Sequence, residues 1–441
     1  MANVITKKIV NLNATIVRAP VPSQLQQSGA MVSIGGTTQT VGTYTFYGTE
    51  GTLLAALSAA GNFAELTTMA ADFFAQGNAV GVYVLELGVQ TTADAGIAAL
   101  DTWIIDNPGV FYAYLVPAAW DYSKDEVGSV IVNTAGSGYT TAPAVTFSAP
   151  TTGTTATGTA TIQNGQVVAI TVTNPGNGYT AAPTVTIAAP TTGTTATATA
   201  NLASALDIVA SRYGSPTGKT YFFVTTTAAN LANYSTQKAI FATVPSPTAT
   251  SAEFQAAAMF YQWLVNNPGS SNRLAPMAFR YVYGVTPWAD QGNQTAMTNI
   301  LSAYGNFVGT GAEGGISNAI VFKGTTMDGE QAAWWYGIDW VQIQTKQALA
   351  AAVINGSNAN PPLLYDQTGI NSLQKVAQQI CDNAVTFGCA LSAVVNAVPF
   401  GTYTTQNPGD YNAGIYNGLS ATVVGQNGFT SLTFNLAAVQ F

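Results

Sequence analysis

The order of apolar and polar positions predicts strands alternating with helices over most of the chain. Phe63, Leu66, Ala70 and Phe73 share one helical face, and an apolar run of strand length follows them. The predicted elements of this part are helices over 63–73, 95–105 and 202–213 and strands over 79–85, 111–116, 220–224 and 239–244. Such an order is typical of a largely parallel sheet with helices on both faces.

The second half is predicted to hold three strong helices and then strands. Thr250 and Glu253 form a capping-box pattern ahead of the first of these helices. The other two carry the apolar stripes Trp334–Ile338–Val341–Ala348–Ala352, within 326–353, and Leu373–Val376–Ile380–Phe387. Three Trp in the long helix could form a ligand-stacking surface, but helical spacing favours a core or subunit contact. Strands at 419–424 and 429–436 flank a hairpin signal at 425–428.

A duplicated block of about forty residues interrupts this alternation between Val130 and Leu202. The stretch 136–139 (Gly-Ser-Gly-Tyr) recurs at 176–179 (Gly-Asn-Gly-Tyr), and both copies run on into Ala-Pro-Thr-Thr-Gly-Thr-Thr-Ala-Thr. Runs of Thr, Val and Ile broken by Gly and Pro predict short strands with tight turns. Because two copies are too few for a solenoid, we expect them to pair into one small all-β domain.

The stretches on either side of the repeat form an ordinary strand–loop–helix step, which predicts an insertion in a surface loop. The predicted fold class is therefore an α/β (α+β) core interrupted by a small all-β domain built from the duplicated unit. The predicted divisions are an N-terminal arm at 1–25, a discontinuous core at 26–127 and 202–428, the repeat domain at 128–201, and a C-terminal strand at 429–441.

Composition excludes some classes of function. The chain has 441 residues and is 47% hydrophobic but only 7% charged, against about 25% in typical domains. So few charges suggest that neighbouring molecules cover much of its surface. The net charge of −8 argues against nucleic acid, which requires clustered Lys and Arg. No signal peptide and no apolar run of membrane-spanning length is visible, so we expect assembly in the cytoplasm and no membrane insertion.

The residues offer little catalytic chemistry. The chain has no His, and Cys381 and Cys389 are expected to be core thiols rather than a disulfide or ligand pair. The stretch 214–220 resembles a phosphate-binding loop but has three residues between its glycines instead of four and precedes a strand, so it is interpreted as a turn. Asp121 with Asp125, and Asp328 with Glu330, are interpreted as a solvated loop and a helix start. We therefore predict no enzyme activity, no cofactor, no metal site and no catalytic residue.

Several stretches, taken in their order along the chain, carry a resemblance to a known family. They are the β-rich start around 9–18, Leu115–Trp120, Thr217–Phe223, Phe322–Gly329 with the Trp-bearing helix after it, and the last helix with its strands. In this order they resemble the contractile tail sheath proteins of bacteriophages. The resemblance covers about 1–127 and 202–441. The repeat departs from a minimal sheath, and in the family such insertions commonly decorate the outer face.

The resemblance implies a virion protein that stacks as six-fold rings around a tail tube and contracts after a baseplate trigger. Its implied partners are itself, the tube protein, and the baseplate and tail-terminator proteins. Extended arms would add strands to sheets of neighbouring subunits. Alternating apolar and polar positions suit this role, and the candidate inter-subunit residues are Ile9, Leu12, Ile16, Leu432, Phe434 and Leu436.

Two other classes stay open at this stage. A secreted adhesin or surface-array protein would share the Thr-rich repeats and the low charge, but should carry a signal peptide. A carbohydrate-binding virion protein would need exposed aromatic side chains, with paired carboxylates if it also hydrolysed its ligand. A tailocin or related injection machine is not distinguishable from a phage tail by this sequence.

Overall fold

The computed structural model describes residues 22–35, 39–57, 62–269, 272–289, 291–311 and 315–431. The strands there are β1 (Gly29–Ser33), β2 (Tyr44–Tyr47), β3 (Val82–Glu86), β4 (Ala113–Leu115), β5 (Ser123–Thr134), β6 (Ala144–Phe147), β7 (Thr157–Gln163), β8 (Gln166–Asn174), β9 (Val185–Ile187), β10 (Thr197–Ser204), β11 (Tyr221–Thr225), β12 (Ile240–Thr243), β13 (Phe307–Gly311), β14 (Ile316–Phe322), β15 (Ala390–Ala397) and β16 (Leu419–Gly425). The helices are α1 (Glu50–Leu57), α2 (Phe63–Phe74), α3 (Ala93–Asp106), α4 (Ala205–Ser211), α5 (Gln255–Leu264), α6 (Gln294–Ser302), α7 (Ala332–Ser357), α8 (Gln367–Thr386), α9 (Phe400–Gln406) and α10 (Pro408–Ala413). Within these ranges, no helix has both the length and the apolar character needed to cross a membrane.

A six-stranded sheet in the order β12-β11-β4-β1-β3-β2 forms the centre of the core. All neighbouring strands run parallel except β2, which pairs antiparallel with β3 at one edge. Buried side chains of α2 and α5 cover one face, and those of α3, α4 and α6 cover the other. The strands are nearly continuous apolar runs because both of their faces are buried. The predicted mixed α/β core, with helices on both faces of a mainly parallel sheet, is confirmed.

Several predicted boundaries in the middle of the chain are wrong. The residues 202–204, predicted as helix, end strand β10, and α4 begins only at Ala205 with Ser204 as its N-cap. The predicted capping box also fails, since α5 begins at Gln255 with no side-chain cap. Glu253 accepts hydrogen bonds from the amide and the hydroxyl of Thr286, at 2.7 and 2.5 Å. The carboxylate thus has a tertiary partner in addition to its local hydrogen bond with the Thr250 backbone.

The last third also differs from its prediction in detail. Helix α7 is buried on nearly all sides over its first half, rather than along one stripe. Of the five residues of the predicted stripe in this helix, only Val341 is buried. In α8 the buried face is formed by Ile370, Ala377, Cys381 and Ala384, next to the predicted stripe. Strand β16 is present, but it pairs with β15, and residues 426–431 contain no strand. The predicted hairpin at 425–428 is therefore wrong over its described part.

The duplicated block folds as six strands, β5 to β10, arranged with approximate two-fold symmetry. Strands β6 and β9 pair antiparallel around Thr146 and Thr186, which are forty positions apart. Hairpin β7–β8 and the pair β5–β10 lie on either side as equivalents. Each Gly-x-Gly turn packs closely on the other copy. At Gly138 the approach leaves no room for a side chain, since a Cβ there would lie 1.8 Å from the carbonyl oxygen of Thr192. The equivalent approach of Gly178 to the carbonyl oxygen of Thr152 shows that the two copies exchange this contact.

Candidate assembly interface

The six residues predicted to join neighbouring subunits, Ile9, Leu12, Ile16, Leu432, Phe434 and Leu436, lie outside the described residues. The structure therefore does not test whether these residues contact one another or a neighbouring subunit. It does describe the surfaces next to them, beginning at Pro22 and ending at Ser431. Their role in assembly stays a prediction.

The two-stranded sheet β15–β16 is the clearest surface for adding a strand. One face packs on α8 through Ala390, Ala393 and Val395, all buried. The other face is open, with Leu391 and Val394 exposed by 63% and 55%. Apolar side chains this exposed on a small sheet are typical of a surface that another element covers.

The outer edge of β15 is already occupied by helix α8. Gln378 accepts a hydrogen bond from the Val395 amide at 2.9 Å, and Gln374 donates to the Val395 carbonyl oxygen at 3.0 Å. Gln378 also donates to the carbonyl oxygen of Ala393, at 3.2 Å. These glutamine side chains take the place of a third strand, so β15 offers no edge for pairing there.

The outer edge of β16, in contrast, has no neighbouring strand among the described residues. Ala421 lies opposite Val395, whose amide and carbonyl groups bond to the α8 glutamines. In an antiparallel ladder, such a non-hydrogen-bonded pair turns its main-chain groups outward on both strands. The main-chain groups of Ala421 therefore face the open side and could pair with an added strand.

A buried charged cluster lies where α7 meets the amino ends of β4 and β11. Asp339 is fully buried, and its Oδ2 accepts hydrogen bonds from the hydroxyls of Tyr112 and Tyr221 at 2.9 and 2.8 Å. The Lys238 Nζ lies 3.9 Å from Asp339 Oδ1 and 4.2 Å from the centre of the Trp335 ring. Burial raises the pKa of the Asp339 carboxyl and lowers the pKa of the Lys238 ammonium, since both charged forms lose hydration.

This cluster is better explained as a joint than as an active site. Ligands of open α/β sheets bind at the carboxyl ends of the strands, whereas Asp339 lies at their amino ends. Lys238 also donates to the carbonyl oxygens of Ser215 and Gly218, at 3.2 and 2.7 Å, within the turn that resembled a phosphate loop. The cluster therefore fixes α7 and this turn against the sheet.

The carboxyl ends of the strands hold carboxylates whose partners are within the protein. Buried Glu86, at the end of β3, accepts from the Ser33 hydroxyl at 2.9 Å and from the Gly88 amide at 2.6 Å. Asp121 accepts hydrogen bonds from four groups in the segment 226–234. The interpretation of Asp121 as a solvated loop residue is wrong, because this carboxylate ties the base of β5 to the segment after β11.

The remaining candidate side chains, the tryptophans of α7 and the two cysteines, have structural roles in the core. Trp335 and Trp340 are buried, as predicted for core residues. Cys381 and Cys389 are buried free thiols, as predicted, and burial raises the pKa of the Cys389 thiol to about 12. Within the described ranges, no three His, Cys, Asp or Glu side chains are grouped as metal ligands.

Comparison with known proteins identifies the class of the fold. No protein-family model matches the sequence, and no curated protein matches it. A chain of the anti-feeding prophage baseplate, in a six-fold symmetrised structure, has a TM-score of 0.56 and 10% identity, covering 94% of both chains. A chain of the anti-feeding prophage helical sheath in its contracted state has a TM-score of 0.51 and 10% identity, covering 95% of this chain and 96% of that one. The chain thus has the fold of a contractile-sheath protein over nearly its whole length.

Sequence reasoning missed two parts of this interface. Strand β15 follows α8 after only three residues, and its pattern of buried positions is irregular, so no simple alternation marks it. The glutamines of α8 occupy polar helix positions that give no sign of their bonds to β15. The sequence did contain a signal for a further strand-like segment at 279–283. There Phe, Tyr and Tyr alternate with Arg and Val.

Proposed function

We propose that this chain is the structural subunit of a contractile tail sheath. It polymerises as stacked six-fold rings around a tail tube and contracts to drive the tube through a cell envelope. Its proposed partners are further copies of itself, the tube protein, and the baseplate and tail-terminator proteins. The role is mechanical rather than catalytic, and the proposed location is the virion tail after assembly in the host cytoplasm.

The fold shared with the contracted helical sheath chain carries this proposal. The edge of β16 that has no neighbouring strand among the described residues supports it, because an added strand would gain main-chain hydrogen bonds there. The alternating segments at 9–16 and 432–436 have the pattern of such strands. We propose that they pair with the β15–β16 sheets of neighbouring subunits and connect the rings.

The repeat region, residues 128–201, is proposed to lie on the outside of the assembled sheath. Its described hydrogen bonds end within 123–204, so it uses none of the interface at β15–β16. Its side chains include no Asp, Glu, Lys or Arg, and exposed Thr residues provide much of its polarity. If it folds independently, as we propose, it can decorate a surface without disturbing the lattice.

Removing residues 429–441 tests the proposal. We expect a soluble chain that unfolds cooperatively but no longer forms tubes or rings, because the strand that would pair with a neighbour is gone. Size-exclusion chromatography, negative-stain microscopy and a thermal melt together measure this. Tubes formed by the truncated chain would contradict strand exchange, and a chain that no longer folds would place these residues in the subunit's own core.

Two proline variants of β16 give a matched control. Ala421→Pro removes an outward-facing amide, which an edge strand tolerates, and should abolish tube formation while the subunit stays folded. Thr422→Pro removes an amide that pairs with Val394, so it should lower the melting temperature of the subunit itself. Equal assembly by Ala421→Pro and the unmodified chain would show that the edge of β16 is not the site of pairing.

A further inference from the structure

An exposed row of aromatic side chains lies on the strand-like segment 279–283. Its main chain pairs with β14, since the Phe279 amide donates to the Val321 carbonyl oxygen at 2.8 Å. Tyr281 and Tyr283, exposed by 44% and 50%, lie on either side of Val282, which is 1% exposed, while Phe279, in a turn with φ +61°, is 41% exposed next to them. We call these three side chains the aromatic row. Three large exposed aromatic side chains within five residues are a candidate binding surface.

A cavity of ≈ 320 Å³ adjoins the Phe279 end of this row. Its apolar walls are Phe279, Leu301 and Phe322, and the rings of Phe279 and Phe322 meet edge to face at 5.7 Å. Thr430 and Ser431 line the same cavity. The chain therefore reaches this cavity at the last residue that the structure describes.

The approach of the chain to the cavity is fixed by hydrogen bonds. Gln331 accepts from the Gly428 amide at 2.8 Å and donates to the Gly428 carbonyl oxygen at 2.9 Å. Leu432 follows Ser431 directly, and Leu432, Phe434 and Leu436 alternate with Thr433 and Asn435. The segment 432–436 thus has apolar side chains at the same two-residue spacing as Tyr281 and Tyr283, about 6.6 Å in extended chain.

We propose that, before assembly, residues 432–436 bind along the aromatic row of their own subunit. Leu432 fills the cavity, and Phe434 and Leu436 cover Tyr281 and Tyr283. Binding in cis is favoured over binding to another copy because no linker separates Ser431 from the cavity, which makes the effective concentration of the segment high. The consequence for assembly rests on the proposed function: the segment must leave this row before it pairs with a neighbour.

Covalent footprinting of the tyrosine rings tests the proposal. Monomers of the full chain, isolated by size exclusion, are compared with Leu432→Ser/Phe434→Ser and with a chain lacking 432–441. We expect Tyr281 and Tyr283 to be modified at least about threefold more slowly in the full chain, because a packed ring loses one accessible face. Tyr411, 47% exposed, lies outside the row and should react equally in all three.

The control variant Thr433→Ser/Asn435→Ser changes only the polar positions and should keep the protection. Equal reactivity of Tyr281 and Tyr283 in all chains would overturn the proposal. Protection that disappears on dilution would also overturn it, since binding within one subunit does not depend on concentration. Tube formation is scored separately by microscopy, so failure of the sheath proposal and failure of this binding are distinguishable.

Discussion

Asp328 has a tertiary role that its position in the sequence does not reveal. It lies four residues before the first residue of α7, so the prediction that it is part of a helix start is wrong. Its Oδ1 accepts from the Thr326 hydroxyl at 2.7 Å and the Glu330 amide at 3.1 Å, and its Oδ2 accepts from Trp335 Nε1 at 2.8 Å. The carboxylate thereby holds the turn and a buried ring together. Glu330 is exposed and makes no comparable contact through its carboxylate.

We expect Asp328→Asn to lower the free energy of unfolding by about 1–3 kcal/mol, because its amide nitrogen would face a donor and leave that donor unpaired. Glu330→Gln is the matched control and should change it by about 0.5 kcal/mol or less. Urea denaturation of both variants measures the difference. Equal effects would mean that the Trp335 contact contributes nothing to stability.

Asp72 is a buried carboxyl that links two helices. It lies in α2, is 3% exposed, and its Oδ2 accepts a hydrogen bond from the Phe254 amide just before α5. Burial, together with the nearby charge of Glu253, raises the pKa of Asp72 to about 7, while the hydrogen bond from Phe254 opposes this. The folded protein therefore binds a proton here that the unfolded chain has lost above its ordinary pKa of 3.8.

The sign of the pH effect follows from that raised pKa. The stability contributed by protonated Asp72 is fully present below about pH 4 and is lost as the pH rises toward 7. Asp72→Asn keeps an acceptor for the Phe254 amide but cannot ionise. We expect its stability relative to the unmodified chain to increase by about 1 kcal/mol or more between pH 5 and pH 7.5, after discounting for partial solvation. Asp106→Asn, an exposed change on α3, should show no such trend in denaturation curves.

At the scale of elements, the repeat region joins the core through a two-stranded stem. Strands β5 and β10 pair from Ser123 with Ser204 to Thr134 with Thr197, so the stem continues three residues or more beyond the predicted boundaries on each side. Asp121 fixes one strand of the stem, and Ser204 caps α4 at the end of the other. The division at 128 and 201 thus falls within the ladder. Independence of the repeat region stays a prediction.

Val127 and Leu202 are direct partners in that ladder, which makes excision testable. Replacing 128–201 by Asn-Gly should close a hairpin, because this turn fits the twist of antiparallel strands. We expect a soluble chain with the helical circular dichroism of the core and undiminished tube formation. Since Val127 packs against the repeat region, Val127→Thr is included to limit its exposure.

A longer excision serves as the control. Removing 121–204 also deletes the Asp121 hydrogen bonds and the Ser204 cap, so it should lower the melting temperature well below that of the shorter excision. Insoluble or unassembled protein from the shorter excision would mean that the repeat region belongs to the core or to the lattice.

At the scale of the whole molecule, one charged joint connects the central sheet with the part that carries β15 and β16. Asp339 lies on α7, whose later turns pack on α8, while its partners Tyr112 and Tyr221 belong to the sheet. A buried pair of this kind adds little net stability but penalises any arrangement that separates its members. The joint therefore sets the position of the candidate assembly edge relative to the sheet.

How much was predictable differs between the core and the assembly surface. Strands of the central sheet could be located because burial on both faces requires continuous apolar runs, as in Tyr221–Thr225. Strand β16 was located by its own composition. Its partner β15 was not, because pairing between strands separated by about twenty residues depends on packing against α8 rather than on local pattern.

The sequence by itself determined the α/β class, the duplication, the lack of His and the alternating segments at 9–16 and 432–436. These are properties of spacing and composition, which act locally along the chain. Only the tertiary structure decided which edge of the β15–β16 sheet lacks a partner among the described residues, since Gln374 and Gln378 bond to β15 and not to β16. It also decided which carboxylates are bound and which are solvated, because hydrogen-bond partners far apart in sequence, such as Asp121 and Tyr234, meet only when the chain has folded.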